Sequence, residues 1–138
     1  SRTGFPKQFL CLTGNESLFQ QAAQRLANLG QDGIHVAPPL IVSGEDHRFL
    51  VLDQLRELPN IHATLLLEPS GRNTAPALTL AALQAMAEKN DPILVITPAD
   101  QTVKNNAVFC WVTIKSTRDG SAYILHQTVT QSPILRLF

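Results

Sequence analysis

The chain has 138 residues, of which 44% are hydrophobic and 16% are charged, and this composition suits one ordinary globular domain. Its 11 basic residues balance its 11 acidic residues, whereas a nucleic-acid-binding protein usually has a basic excess or a basic stripe. No apolar run approaches the roughly 20 residues of a membrane helix and no signal peptide opens the chain, so we expect a soluble, cytoplasmic protein that binds neither nucleic acid nor membrane.

The first predicted helix begins after Ser17. Ser17 and Gln20 have the S-x-x-Q spacing of a capping box, in which each side chain satisfies a free backbone amide at the helix start. Apolar residues then recur at helical spacing as far as Leu29, and Gly30 is typical of a helix end. A short apolar strand is predicted over residues 39–43.

A second helix is predicted over residues 45–58, with Phe49, Leu52, Leu55 and Leu58 on one face. Two acidic residues lie in its first turn, where the helix dipole favours negative charge, and a proline follows its last residue.

Two further strands, over residues 64–68 and 92–97, flank an alanine-rich helix that Asn73 or Thr74 caps and that reaches Lys89. The strands are continuous apolar runs, which is typical of sheets that are covered on both faces. Strand–helix–strand order at this spacing gives right-handed crossovers. The fold class is therefore α/β, with a mostly parallel sheet and helices on both faces.

The predicted core consists of large apolar residues from these helices and strands. Beyond about residue 110 the regular alternation of helices and strands fades. Residues 111–114 and 122–125 are β-prone, and no clean helix is predicted there. The residues expected to be buried are Leu18, Leu26, Ile41, Val42, Phe49, Leu52, Leu55, Leu65, Leu67, Leu80, Leu83, Ile93, Val95 and Ile96.

Several familiar sites are disfavoured by spacing. Cys11 and Cys110 form no C-x-x-C motif, and two free thiols in a reducing compartment are the favoured interpretation. The four histidines lack the spacing of a zinc site. The chain contains no G-x-S-x-G, G-x-x-x-x-G-K-[ST] or G-x-G-x-x-G motif.

Asp100 follows the last predicted strand, at the sheet edge where open α/β sheets bind ligands. A carboxylate at this position can hold Mg²⁺, or it can cap the segment that follows. Lys7 follows a proline and can neutralise a phosphate, although a solvated surface lysine is the commoner role.

The turn from Glu68 to Thr74 joins a strand-end carboxylate to a helix start, where free amides attract anions. An ordinary βα turn, with Arg72 paired to Glu68, explains the same residues. The residues alone therefore predict a crevice compatible with Mg²⁺ and phosphate, and no specific reaction.

Taken together, the motifs resemble the nucleotidyltransferase signature of bacterial mannose-1-phosphate guanylyltransferases. P-K-Q-F-L at residues 6–10 and E-P-S-G-R-N-T-A-P-A at residues 68–77 are the most distinctive blocks. The resemblance covers residues 1–109, a partial nucleotidyltransferase domain with a Rossmann-like fold, and leaves residues 110–138 as a divergent tail. The blocks, in chain order, are residues 1–2, 6–14, 45–51, 54–57, 68–77 and 98–100.

Proteins of that family make GDP-mannose and pyrophosphate from GTP and mannose 1-phosphate, by in-line attack at the α-phosphorus. The resemblance implies that Arg2, Lys7 and Asp100 are catalytic and that Asp100 holds the cofactor, Mg²⁺. Whether the protein forms a homo-oligomer is left open. The implied nucleotide-binding residues are Glu68, Pro69, Gly71, Arg72, Asn73, Thr74, Pro98 and Ala99.

The chain departs from the family pattern at both ends. The family's glycine-rich G-x-G-x-R loop and the central strand before it are missing, so we expect an incomplete sheet with a gap between neighbouring strands. Gln101 stands where the family has histidine, and the tail lacks the family's E-T-G-Y-G-Y-I stretch. We interpret the tail as an out-of-frame or truncated segment, which determining the reading frame of the transcript would test.

These departures predict a nucleotidyltransferase that is weakly active or inactive as this chain. The alternative is a non-catalytic remnant that binds a nucleotide or a protein partner. A receiver-like or flavodoxin-like binding module would explain Asp100 but neither the P-K-Q block nor the Arg72 turn.

Overall fold

The computed structural model describes residues 5–12, 14–30, 35–69, 74–87, 92–118 and 134–137. Within these residues, helices and strands alternate in the order predicted as far as the third strand. The helices are α1 (Leu18–Ala27), α2 (Arg48–Arg56), α3 (Thr74–Met86) and α4 (Asn106–Arg118), with 3-10 turns at Lys7–Phe9 and Glu45–His47. The strands are β1 (Leu40–Gly44), β2 (Thr64–Glu68), β3 (Val95–Pro98) and β4 (Ile134–Leu137).

The predicted capping box at the start of α1 is confirmed. The Ser17 amide donates to Gln20 Oε1 at 2.9 Å, and the Gln20 amide donates to Ser17 Oγ at 3.1 Å. The same two side chains also join α1 to α2, because the Ser17 hydroxyl donates to Gln54 Oε1 and Gln20 Nε2 donates to Glu57 Oε2. The Ser17 and Gln20 side chains therefore fix the start of α1 and also hold α1 against α2.

Replacing Ser17 with alanine is expected to lower the free energy of unfolding by about 1–2 kcal/mol, because the cap and the link to α2 are lost together. Urea unfolding followed by circular dichroism measures the change. Thr79→Ala is the control, since the exposed Thr79 hydroxyl only donates to the Ala75 carbonyl within α3. Equal losses in the two variants would contradict a special role for the Ser17 cap.

The described strands form one sheet in the order β2-β1-β4-β3. Strands β1 and β2 are parallel, in register from Leu40 opposite Thr64 to Gly44 opposite Glu68. Strand β4 is antiparallel to both β1 and β3. It follows that β1, β2 and β3 all run in the same direction, as the α/β prediction requires, and that β4 alone opposes them within the described sheet.

The tail differs from its prediction in two ways. Residues 111–114, predicted as β-prone, belong to helix α4. The Asn105 side chain caps the start of this helix by accepting a hydrogen bond from the Val108 amide at 3.1 Å. The predicted gap in the sheet is also wrong for the described strands, because β4 lies between β1 and β3 and closes it. The second β-prone fragment, residues 122–125, lies outside the described residues.

Two groups of buried side chains cover the two faces of β1. Ile41 packs with residues of α1 and α2, such as Leu26 and Val51, on one face. Leu40 and Val42 pack with alanines of α3 on the other face. Adjacent residues of a strand point to opposite faces, so the apolar run of β1 supplies both halves of the core.

The predicted core is confirmed at its centre and wrong at its periphery. Leu18, Leu26, Ile41 and Val42 are buried. Six predicted core residues of α2, β2 and β3 are only half-buried, and for the strands the reason is that β2 and β3 lie at the two outer positions of the described sheet. These six are Leu52, Leu55, Leu65, Leu67, Val95 and Ile96.

Four predicted core residues are exposed. Helix α2 buries Val51 in place of Phe49, which is 70% exposed, because the helix is rotated from the predicted face. Helix α3 contacts the sheet through its small Ala77 and Ala81 side chains, so its larger residues point away. Besides Phe49, the exposed residues are Leu80, Leu83 and Ile93.

The described residues also bear on the state of the two cysteines and on membrane-spanning helices. Cys11 and Cys110 are free cysteines, as predicted. Within the residues described, no helix has both the length and the apolar character needed to cross a membrane.

Candidate functional site at the carboxyl edge of the sheet

The three strands that run in the same direction end at one edge of the sheet. Gly44 and Glu68 are partners in register at the ends of β1 and β2. Strand β3 has the same direction, so Pro98 and the following Asp100 lie at that edge as well. The topology therefore places the ends of these three strands on the side of the sheet where open α/β folds bind ligands.

Asp100 is buried, with 5% of its surface exposed, and it follows Ala99, which is 2% exposed. The next residue is held from α1: Arg25 Nη2 donates to the Gln101 carbonyl at 3.4 Å. The Arg25 guanidinium also lies 5.5 Å from the centre of the Phe109 ring in α4. The segment that carries Asp100 is thus held by Arg25 of α1, and the Arg25 guanidinium in turn lies against Phe109 of α4.

Arg25 is itself an unusual residue of this region. It is 4% exposed, and its burial lowers the pKa of the guanidinium, an effect that the neighbouring Cys110 opposes. Burial of a charged group carries a desolvation cost. In the sequence, Arg25 stands beside Leu26 on the apolar stripe of α1. The sequence analysis did not identify Arg25 as part of the site.

Lys7 lies exposed in the 3-10 turn that precedes α1. The turn is anchored by Phe9, which is buried and packs edge-to-face against His47 with ring centres 5.9 Å apart. Gln54 Nε2 also donates to the Phe9 carbonyl at 3.1 Å. Because His47 belongs to the segment that directly follows β1, the structure fixes the Lys7 turn beside the carboxyl edge.

The nucleotide-binding residues predicted after β2 and β3 are only partly described. Glu68 and Pro98 are half-buried at the ends of their strands, and Pro69 is exposed. Thr74 is the first residue of α3. The predicted residues Arg2, Gly71, Arg72 and Asn73 lie outside the described residues.

The donor set near Asp100 matches only one kind of metal site. Among the described residues there is no group of three or more histidine, cysteine, aspartate or glutamate side chains that could hold a metal ion. Mg²⁺, however, is commonly held by one or two carboxylates together with water and substrate phosphates. A single strand-end aspartate therefore fits an ion that arrives with a nucleotide, and does not fit a structural metal held by protein alone.

A cavity of about 490 Å³ is lined by residues of α1 and α4 and of the segments that precede each helix. Its lining is largely polar and includes Glu16, Gln24, Asn28 and Cys110, together with Arg25. None of the predicted site residues lines it. We therefore locate the candidate site by strand topology and not by this cavity.

Comparisons with known proteins agree on one protein family. A family model described as nucleotidyl transferase matches residues 1–131. The chain is 45% identical to the mannose-1-phosphate guanylyltransferase of Escherichia coli over 109 residues, which are 79% of this chain and 22% of that protein. It is 46% identical to the alginate biosynthesis protein AlgA of Pseudomonas aeruginosa over 109 residues, again 79% of this chain and 22% of the relative.

A third relative, the mannose-1-phosphate guanylyltransferase of Salmonella montevideo, is 41% identical over 123 residues, covering 89% of this chain and 24% of that protein. The chain thus spans less than a quarter of the length of these relatives. The family match runs to residue 131, past residue 109, and the division into residues 1–109 and 110–138 stays a prediction. No solved structure shows a significant match.

Proposed function

The chain belongs to the nucleotidyl transferase family, and on that premise we propose that its carboxyl edge binds GTP together with Mg²⁺ and mannose 1-phosphate. The product of the transfer would be GDP-mannose, a precursor for polysaccharide biosynthesis. The observation that carries the proposal is the burial of Asp100 at the end of β3, at the edge where β1 and β2 also end. The names of the relatives, which are guanylyltransferases of mannose 1-phosphate, support the choice of substrates.

In the proposed reaction, a phosphate oxygen of mannose 1-phosphate attacks the α-phosphorus of GTP. The bond from that phosphorus to the bridging oxygen of the β-phosphate breaks, and pyrophosphate leaves with the electron pair. Catalysis of this kind depends mainly on positioning and on neutralising phosphate charge. No protein nucleophile is required, which agrees with the lack of a nucleophile motif.

Asp100 would hold Mg²⁺, which when bound supplies charge neutralisation and orientation of the phosphate oxygens. Lys7 is exposed, so its ammonium group can extend from the anchored turn towards a phosphate. Arg2 would add a second positive charge. Glu68, Pro69, Pro98 and Ala99, with the turn from Gly71 to Thr74, would form the contacts to the nucleoside.

Isothermal titration calorimetry with GTP, in the presence and in the absence of Mg²⁺, tests this function. We expect saturable binding of GTP that weakens about tenfold or more, equivalent to about 1.4 kcal/mol, when Mg²⁺ is removed. ATP under the same conditions is the control for recognition of guanine and is expected to bind more weakly.

A chain that is folded by circular dichroism and does not bind GTP would overturn the proposal. Binding of GTP without production of GDP-mannose in a turnover assay would support the alternative, a nucleotide-binding remnant without catalysis. The two outcomes differ, because binding and turnover are measured separately.

A further inference from the structure

The cavity of about 490 Å³ that Arg25 lines has no role in the proposed reaction. Its volume lies in the range of roughly 300–1,000 Å³ that is usual for clefts that hold small molecules. The residues contributed by α1 and its C-cap stand at i, i+3, i+4 and i+7, so they form one stripe along the helix. On α4, Asn106 and Cys110 are four positions apart and form a second stripe. The residues of the α1 stripe are Gln21, Gln24, Arg25 and Asn28.

Arg25 brings a buried positive charge to the wall of this cavity. The residue is 4% exposed, and its described contacts, with the Gln101 carbonyl and the Phe109 ring, bring no formal negative charge. Within the described part of the chain, Arg25 Nε has no hydrogen-bond partner, and the ion pair found there joins Arg56 to Asp53. Buried charges are usually paired, so the Arg25 guanidinium favours an anion as the occupant of the cavity.

Glu16 limits the charge that such an anion can carry. Its carboxylate belongs to the same cavity lining and accepts a hydrogen bond from Gln24 Nε2 at 2.7 Å. Because like charges repel, a ligand with one negative charge, placed at Arg25, fits this lining better than a ligand with two.

The other polar groups of the lining are mainly side-chain amides. An amide offers both a donor and an acceptor, as does a hydroxyl group, so amides and hydroxyl groups can exchange hydrogen bonds in both directions. The lining therefore favours a ligand that has hydroxyl groups in addition to its acid group. The amide residues are Asn15, Gln21, Gln24, Asn28 and Asn106.

We propose that this cavity binds a small hydroxy acid with one carboxylate and several hydroxyl groups. The carboxylate pairs with the Arg25 guanidinium, whose planar set of donors matches a carboxylate. The hydroxyl groups exchange hydrogen bonds with amides of the two stripes, such as Gln24 and Asn106. None of the predicted site residues at the carboxyl edge lines the cavity, so the proposal does not depend on the binding of GTP.

Titration of the isotope-labelled chain with gluconate, followed by NMR of its side-chain amides, tests the site in the absence of Mg²⁺. Gluconate has one carboxylate and several hydroxyl groups. Glucose is the matched probe without the carboxylate, and acetate is the probe without the hydroxyl groups. We expect gluconate to cause saturable shifts of the Gln24, Asn28 and Asn106 amide signals, with an affinity at least about tenfold higher than that of either control probe.

Arg25→Gln removes the positive charge and is expected to weaken the binding of gluconate about tenfold or more, equivalent to about 1.4 kcal/mol. Circular dichroism verifies that the variant is folded. Asn106→Ala, at an exposed position of the lining, is expected to weaken binding about threefold, the effect of one lost hydrogen bond. Asn60→Ala is its matched control, since Asn60 is exposed and does not belong to the lining, and it should leave the affinity unchanged.

A folded chain that shows no saturable binding of gluconate, or shifts that leave the amides of the lining unchanged, would overturn the site. Retained affinity in folded Arg25→Gln, or equal binding of glucose, would exclude the ion pair and overturn the proposal as well. If Arg25→Gln does not fold, equal affinities of Asn106→Ala and Asn60→Ala decide against the proposal. Equal binding of acetate would reject the hydroxyl contacts, and tighter binding of inorganic phosphate at the same amides would reject a singly charged acid.

Discussion

Substitution of Leu26 by alanine is expected to lower the free energy of unfolding by about 2–5 kcal/mol. The Leu26 side chain is fully buried and belongs to the group of residues that joins α1, α2 and β1. The loss includes the transfer free energy of the deleted carbons and the cost of the cavity that remains. Because the free energy of unfolding of an intact domain is only about 5–15 kcal/mol, this single change is expected to remove a large part of it.

The matched control is the same substitution at an exposed position of another helix. Leu83 in α3 is 61% exposed, and Leu83→Ala is expected to change the stability by no more than about 0.5 kcal/mol. Leu67→Ala should fall between the two, since Leu67 is half-buried on an outer strand. Urea unfolding of all three variants gives the order, and equal destabilisation by Leu26→Ala and Leu83→Ala would contradict the described core.

Replacement of Asp100 by asparagine is expected to abolish the Mg²⁺-dependent part of GTP binding. The substitution preserves the size of the buried side chain and removes the negative charge that a hard cation requires. We expect the affinity for GTP in Mg²⁺ to fall about tenfold or more, to the value measured without the metal. Calorimetry of the variant with and without Mg²⁺ measures this, and circular dichroism verifies that it is folded.

Asp53→Asn is the control for this loss of charge. Asp53 lies on the surface of α2 with its side chain 67% exposed, and it pairs with Arg56 at 2.8 Å. An exposed ion pair one turn apart contributes little, so both the stability and the nucleotide affinity should be retained. Equal loss of GTP affinity in the two variants would indicate a non-specific effect of net charge, and unchanged affinity in Asp100→Asn would exclude Asp100 as the metal ligand.

The sequence predicted best those elements whose signals are local. The capping box at Ser17 and Gln20 and the whole of β2 were obtained correctly, because a cap and a short apolar strand depend on nearby residues. The buried face of α2 was not, since two sets of apolar residues at helical spacing, one containing Phe49 and one containing Val51, compete on that helix. Only the position of α1 and the sheet decides between them.

Helix α4 was missed for a different reason. Its residues include aromatic and β-branched types that favour strands on propensity alone, and tertiary contacts such as that between Phe109 and Arg25 outweigh this preference. A local signal did exist in Asn105, whose side chain caps the helix. The central placement of β4 had no such signal, because its partners lie far away in the sequence.

For the candidate site, the order of strands and helices was enough to predict that the ends of β1, β2 and β3 share one edge. The residues that hold the site in place were not predicted. Phe9 and Arg25 act through contacts between elements, with His47 and with the Gln101 carbonyl respectively. Contacts of this kind depend on how the elements pack, and one sequence does not contain that information in a local pattern.

The position of β4 also has a consequence for the time course of folding. A chain is synthesised from its N-terminus, so β1, β2 and β3 exist before the strand that separates β1 from β3 has been made. The described sheet can close only after β4 has been synthesised, and such long-range pairing is intrinsically slow. Until then the facing edges of β1 and β3 are open to other chains, and the yield of correctly folded protein should depend on how quickly β4 follows β3 during synthesis.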